Sequence, residues 1–200
     1  MKKTKCLALF SGGLDSMIAV RLMAEQGVEV LALHFDIGFG AKDDKSAILR
    51  ARANMAGGGF CVVDVRDRYL QDVLFSPKYG YGKHFNPCID CHGYMAKTAF
   101  AMMADEGADF IITGEVVGQR PMSQRVEAMN QVKKIADDQE GLILRPLCAK
   151  LLPPTRPEIL GLIDREKLLD ISGRGRTRQM ELALKFGFSD YESPAGGCLL

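Results

Sequence analysis

Three groups of residues in this chain of 200 have the types and spacing for chemistry. The first is Ser11-Gly12-Gly13-Leu14-Asp15-Ser16, a glycine turn flanked by hydroxyls and a carboxylate. The second is Cys88-Ile89-Asp90-Cys91, and the third is Cys198, preceded by Gly196-Gly197. A glycine turn between a strand and a helix aims backbone N–H groups and the positive helix end at one point, which suits phosphate. No Lys-Ser or Lys-Thr pair closes the turn, so the Walker cradle of ordinary kinases and GTPases is excluded. A bare Gly-Gly would read as a plain helix cap. A C-x-x-C pair can bind metal, form a reversible disulfide or hold a persulfide. Structural zinc needs four ligands; no second pair exists, and His84, His92 and Cys198 lack a zinc-ribbon spacing. Cys6, Cys61 and Cys148 lie in apolar strand contexts and read as small buried side chains.

Elements that alternate strand and helix must position these groups. An apolar strand, Cys6 to Phe10, ends at the glycine turn, and Leu14, Ile18, Leu22 and Met23 share one helical face after it. Helix Met17–Gln26 stops at Gly27, and strand Val28–Phe35 follows, apolar almost throughout, as in a sheet covered on both faces. A helix over Lys42–Ala56, a strand over Phe60–Val65 and a short helix over Asp67–Leu74 come next. Phe75 to Cys88 has turn residues and aromatics but no period, and a loop of that length is usually functional or mobile. Gly93–Glu106 is a helix and Ala108–Thr113 a strand. A loop over Val116–Glu127 follows. Ala128–Asp138 fits either a helix or a strand. Gly141–Leu147 is a fifth strand. Proline-opened Pro153–Ile163 and Arg176–Phe186 are helices, and Lys167–Ile171 is ambiguous. The pattern predicts an α/β fold, a doubly wound and mostly parallel sheet with helices on both faces. Ligands bind beyond the carboxyl ends of such strands, so Ser11, His34 and Gly114 should converge.

The length suits one domain, and an apolar share of 47% supports a core. A net charge of +1 gives no broad basic surface for nucleic acid. No apolar run approaches a membrane span, and the start Met1-Lys2-Lys3-Thr4-Lys5 lacks the apolar core of a signal peptide. The expected location is the cytoplasm, where six cysteines suggest metal, sulfur chemistry or buried thiols rather than a disulfide scaffold.

Ser-Gly-Gly-Leu-Asp-Ser resembles the signature of the PP-loop ATP pyrophosphatases, with their adenine nucleotide alpha-hydrolase-like fold. That resemblance implies ATP cleavage between the α and β phosphates, adenylation of a substrate, and Mg2+ beside the aspartate. It assigns ATP contacts to Leu9, Phe10, Ser11, Gly12, Gly13, Leu14, Asp15 and Ser16. Asn86-Pro87-Cys88-Ile89-Asp90-Cys91 resembles the Asn-Pro-x-x-x-Cys segment of the tRNA 2-thiouridylases, which makes Cys91 the nucleophile position. Ser193 to Cys198 resembles their Ser-x-Gly-x-Cys pattern with one extra residue. Leu33-His34-Phe35, Leu144-Arg145-Pro146-Leu147 and the Thr113–Gln119 loop with Ser123-Gln124 are similar to segments of the tRNA 4-thiouridine synthetases. By that match His34, Phe35, Gly114, Gln119 and Gln124 join the ATP site. The N-terminal RNA-binding module of the 4-thiouridine synthetases and the C-terminal domains of the 2-thiouridylases are expected to fall outside these 200 residues. The end at Gly-Gly-Cys-Leu-Leu reads as the interior of something longer.

The expected organisation is a PP-loop domain over residues 1–150 and a helical extension over residues 151–200 carrying Cys198. The expected function is ATP-dependent sulfur transfer to a carbonyl, that of a tRNA uridine. A persulfide route would use Cys91 and Cys198 as catalytic thiols. A 4Fe-4S cluster on Cys88, Cys91 and Cys198 would use three thiolates. Both routes stand open at this point, as does homodimerisation, and the sulfur comes from a donor protein or sulfide. Arg174, Arg176 and Arg178 are candidates for RNA phosphates, against a plain solvated surface. Two rivals are a PP-loop amide- or nitrile-forming synthetase using ammonia, and a non-enzymatic ATP-binding redox or metal sensor.

Overall fold

The computed structural model describes residues 3–39, 45–82 and 85–192. Its centre is β1 (Lys5–Leu9), a short strand hydrogen-bonded on both edges. α1 (Leu14–Ala24) follows, and β2 (Glu29–Asp36) pairs with β1 in parallel. α2 (Ser46–Ala56) leads to β3 (Gly59–Asp64). A short helix α3 (Arg66–Tyr69) runs on into a π-helical turn at Leu70–Leu74. α4 (Cys88–Glu106) is the longest helix among the described residues and precedes β4 (Phe110–Thr113). α5 (Val126–Ala136), β5 (Ile143–Leu144), α6 (Arg156–Ile159) and α7 (Thr177–Phe186) complete the order.

The described strands form one parallel sheet in the order β3-β2-β1-β4-β5. The period of two sorts side chains by face. Cys6 and Ala8 of β1, Val30 and Ala32 of β2, and Phe110 and Ile112 of β4 pack against α1, α2 and α7. Leu7, Leu33, Phe35 and Ile111 point the other way, with Tyr69, Val73 and the α4 residues Cys91 and Ala99. Helices therefore cover both faces, the expected doubly wound α/β arrangement. Strand order reverses between β1 and β4, and a crevice opens at such a switch point.

Three stretches differ from the sequence reading, and in the first of them the helix expected over Pro153–Ile163 shrinks to α6 at Arg156–Ile159. α4 begins at Cys88 rather than Gly93, so both thiols of the C-x-x-C ride its first turn. The Asn86-Pro87 pair sits just outside, with Pro87 as the N-cap residue. The fifth strand shrinks to Ile143–Leu144, because Arg145 turns inward to pair with Glu115 and Leu147 and Cys148 leave the ladder. The undecided 128–138 segment is helical, as α5.

α4 and α5 pack closely because Gly93 has no side chain. A Cβ built there would lie 2.6 Å from Ile135 Cβ. Gly93→Ala is expected to destabilise the protein by about 1–3 kcal/mol through overpacking, read as a lower urea midpoint with unchanged slope. No helix among the described residues is long and apolar enough to cross a membrane.

Candidate active site at the β1–β4 switch point

The loop after β1 turns at Gly12, whose φ of +76° is costly for any other residue. A Cβ at Gly12 would also collide with Leu49 of α2. Gly13 caps α1, and its carbonyl accepts from Met17 N at 3.1 Å and from Ser16 Oγ at 2.8 Å. Ser11 Oγ accepts from Gly13 N at 3.3 Å and lies 3.4 Å from Ser16 Oγ. These bonds gather the hydroxyls and the helix N-terminus on one side of the turn. Phe10, Leu14 and Phe35 are buried among core side chains. His34 Nδ1 stands 3.3 Å from the Phe10 carbonyl, and its ring stacks near Phe60 at a centroid distance of 6.4 Å.

Asp15 is drawn into a polar chain that joins three segments. Its Oδ2 accepts from Gln119 Nε2 at 2.6 Å and from Arg176 Nη2 at 2.9 Å. Gln119 Oε1 in turn accepts from Gln179 Nε2 of α7 at 3.0 Å. Asp15 Oδ1 is buried and accepts nothing among the described residues. A bare carboxylate oxygen beside a phosphate-shaped turn is the donor chemistry that suits a hard divalent cation.

β4 delivers the second half of the site. Gly114 lies so close to α1 that an added Cβ would be 2.6 Å from Ser16 N. Glu115 follows, and its buried carboxylate is held from three sides. Arg145 Nε donates to Oε2 at 2.8 Å, Thr113 Oγ1 donates to Oε2 at 3.1 Å, and His92 Nδ1 lies 2.8 Å from Oε1. Burial alone pushes the Glu115 carboxyl up, but the Arg145 guanidinium and the His92 ring outweigh it and hold the carboxyl at about 2. The backbone carbonyl of Glu115 accepts from Cys148 Sγ at 3.3 Å. Burial is the largest influence on that thiol and pushes it up to about 11, which fits an inert core cysteine.

His92 is the neighbour of Cys91, so Glu115 ties the C-x-x-C helix to the strand end that abuts the phosphate turn. Cys91 is buried and Cys88 is partly exposed. Both sit on the helix end that favours negative charge. Asn86 Nδ2 donates to Cys88 Sγ at 3.0 Å. Asp90, between the two cysteines, accepts from Lys78 N at 2.7 Å and Tyr79 N at 3.0 Å. That carboxylate pins the aperiodic loop before α4 to the site.

The remaining candidates separate. Gln124 is buried, and its carbonyl accepts from Gly118 N at 2.7 Å. Of the three arginines expected at RNA phosphates, Arg176 donates to Asp15, Arg178 pairs with Asp170 at 2.7 Å, and Arg174 is exposed. Cys198 and the Ser193–Leu200 stretch lie outside the described residues, as does His84. Among the described residues no group of three or more Cys, His, Asp or Glu could hold a metal. Sequence reasoning weighed His92 only as a metal ligand and gave no site role to Asp90 or Gln179. The available signal for Gln179 was a polar residue one turn from Ala183 on the buried face of α7.

A parallel sheet with a glycine–hydroxyl turn at its switch point defines a nucleotide-binding α/β domain. This chain belongs to the thiamine biosynthesis protein (ThiI) family, whose model matches residues 1–150. A probable tRNA sulfurtransferase of Thermococcus kodakarensis is 31% identical over 169 residues, 84% of this chain and 40% of that protein. The tRNA-specific 2-thiouridylase MnmA of Mycobacteroides abscessus is 35% identical over 128 residues, 55% of this chain and 35% of that protein. The chain thus spans well under half the length of these two relatives. A solved 4-thiouridine synthetase–RNA complex with bound ATP superposes with a TM-score of 0.62 at 21% identity. It covers 92% of this chain and 41% of that one, and the likeness is one of fold.

Proposed function

We propose that the protein is an ATP-dependent sulfurtransferase that adenylates a uridine carbonyl of tRNA and replaces its oxygen with sulfur. The observation that carries this reading is the contact path from phosphate turn to thiol. Gly114 abuts Ser16, Glu115 holds His92, and His92 adjoins Cys91. Membership of the ThiI family, and relatives named for tRNA sulfur transfer and 2-thiouridylation, support it.

ATP would lie with its phosphates on Ser11, Gly12, Gly13 and Ser16. The Oδ1 of Asp15, unpartnered among the described residues, fits a Mg2+ ion, which when bound would neutralise charge on the departing pyrophosphate. The substrate carbonyl oxygen attacks the α phosphorus, the bond to the β-phosphate oxygen breaks, and pyrophosphate leaves. Loop N–H groups stabilise that leaving group. A persulfide on Cys91, loaded by a sulfur donor, then attacks the activated carbon, and the bond to AMP breaks. Attack by Cys198 on the Cys91 sulfur frees the thiocarbonyl and leaves a Cys91–Cys198 disulfide, which a thiol reductant resets. The cluster alternative would take Cys88 and Cys91 as two ligands and need Cys198 as the third.

Cys91→Ser is expected to abolish transfer of labelled sulfur to tRNA while AMP and pyrophosphate still form. Loss of adenylation together with transfer would contradict the role given to Cys91. Cys88→Ser divides the two sulfur routes: retained transfer selects the persulfide, and loss together with iron and sulfide selects the cluster.

A further inference from the structure

A cavity of about 110 Å3 lies between α5, the end of β5 and the segment that leads through α6. At roughly 30 Å3 per water, it has room for a few waters or one small ion. Its polar lining is Asn130, Lys133, Arg145, Thr155 and Glu158. Thr155 and Glu158 are engaged with each other, Thr155 N donating to Glu158 Oε2 at 2.7 Å. The other oxygen of Glu158 pairs with Arg165. Asn130, Lys133 and Arg145 remain.

Arg145 is 2% exposed, and its Nη2 is buried with no acceptor among the described residues. An unpaired buried donor on a charged group is costly. Lys133 is partly buried and has no carboxylate within salt-bridge distance among the described residues. Asp138, which lies near it, accepts from Leu142 N at 2.7 Å and Ile143 N at 3.2 Å. Burial first, and then the Arg145 charge, depress the Lys133 ammonium below its usual range. Two cations thus face a small cavity whose one carboxylate is already paired.

We propose that this cavity binds a small tetrahedral oxyanion of the phosphate or sulfate class, held by Arg145, Lys133 and Asn130. A guanidinium fork and an ammonium are the groups that hold such ions. No residue of the phosphate turn lines the cavity, so it is a second anion site. Arg145 joins the two, since its Nε grips Glu115. The proposal does not depend on the sulfur-transfer reading.

Titration calorimetry with inorganic phosphate, in the presence of a saturating non-hydrolysable ATP analogue, tests it. The analogue keeps phosphate off the turn at Ser11. Wild type should bind phosphate, and Lys133→Met should weaken binding about 10–100-fold, the worth of a charged hydrogen bond. Asn130→Leu should weaken it less. Melting curves without phosphate check that both variants are folded. Equal affinity in wild type and both variants would overturn the site, as would the absence of binding in wild type. An RNA oligonucleotide added to wild type then identifies the source. Competition with phosphate means a backbone phosphate fills the site, and none means a free ion; either result keeps it.

Discussion

Replacing Glu115 by Gln should cost about 3–5 kcal/mol of stability, the scale of removing one partner of a buried ion pair. The reason is Arg145. Its guanidinium is buried, its Nε donates to the Glu115 carboxylate, and its Nη2 already lacks an acceptor among the described residues. Glutamine keeps the shape and removes the charge. For a chain of this size the loss corresponds to a fall in Tm of roughly 6–20 °C, measured by scanning calorimetry. The double variant with Arg145→Met should recover part of it, because an apolar side chain needs no counter-charge. A single-variant loss below about 1 kcal/mol, the range of an exposed pair, would contradict the burial argument.

The same carboxylate gives a pH signature. Glu115 is held at about 2 in the folded protein against an ordinary 4.5, so the unfolded chain takes up this proton first as acid is added. Its contribution is therefore complete above about pH 4.5 and is lost as pH falls toward 2. The Glu115→Gln variant should lack that part of the acid dependence, seen as a shallower fall in stability between those values.

Asp15→Asn should leave the fold intact and reduce AMP formation about 10²–10³-fold, the scale of losing one group that stabilises transition-state charge. Asparagine can still accept from Gln119 and Arg176 through its side-chain oxygen, so the polar chain to α7 survives. What disappears is the negative charge on the carboxylate whose Oδ1 accepts nothing among the described residues. Circular dichroism should match wild type. Raising Mg2+ should recover part of the rate if the loss is one of metal affinity. Turnover equal to wild type would remove Asp15 from the chemistry.

The architecture was legible because its signals are local. Each strand is an apolar run that ends at a glycine or a polar turn, and the sheet order brings Gly114 after β4 against Ser16 at the start of α1. The phosphate turn and the C-x-x-C are contiguous motifs and could be read directly. The long-range polar pairs were not legible. Nothing local says that Glu115 meets Arg145 and His92, or that Arg176 folds back onto Asp15 across 161 positions. An arginine in a glycine-rich, basic stretch looks like a solvent or RNA contact until the chain returns to the turn. The start of α4 was misjudged because two cysteines and a proline are weak helix formers, whereas packing of Ile89 and Cys91 into the core decides the matter.

The most direct test of the proposed chemistry is to follow ATP by phosphorus NMR in the presence of unmodified tRNA and Mg2+. Cleavage between the α and β phosphates predicts AMP and pyrophosphate in equal amounts, dependent on tRNA and lost in Asp15→Asn. Production of ADP and phosphate, or no consumption of ATP, would contradict it.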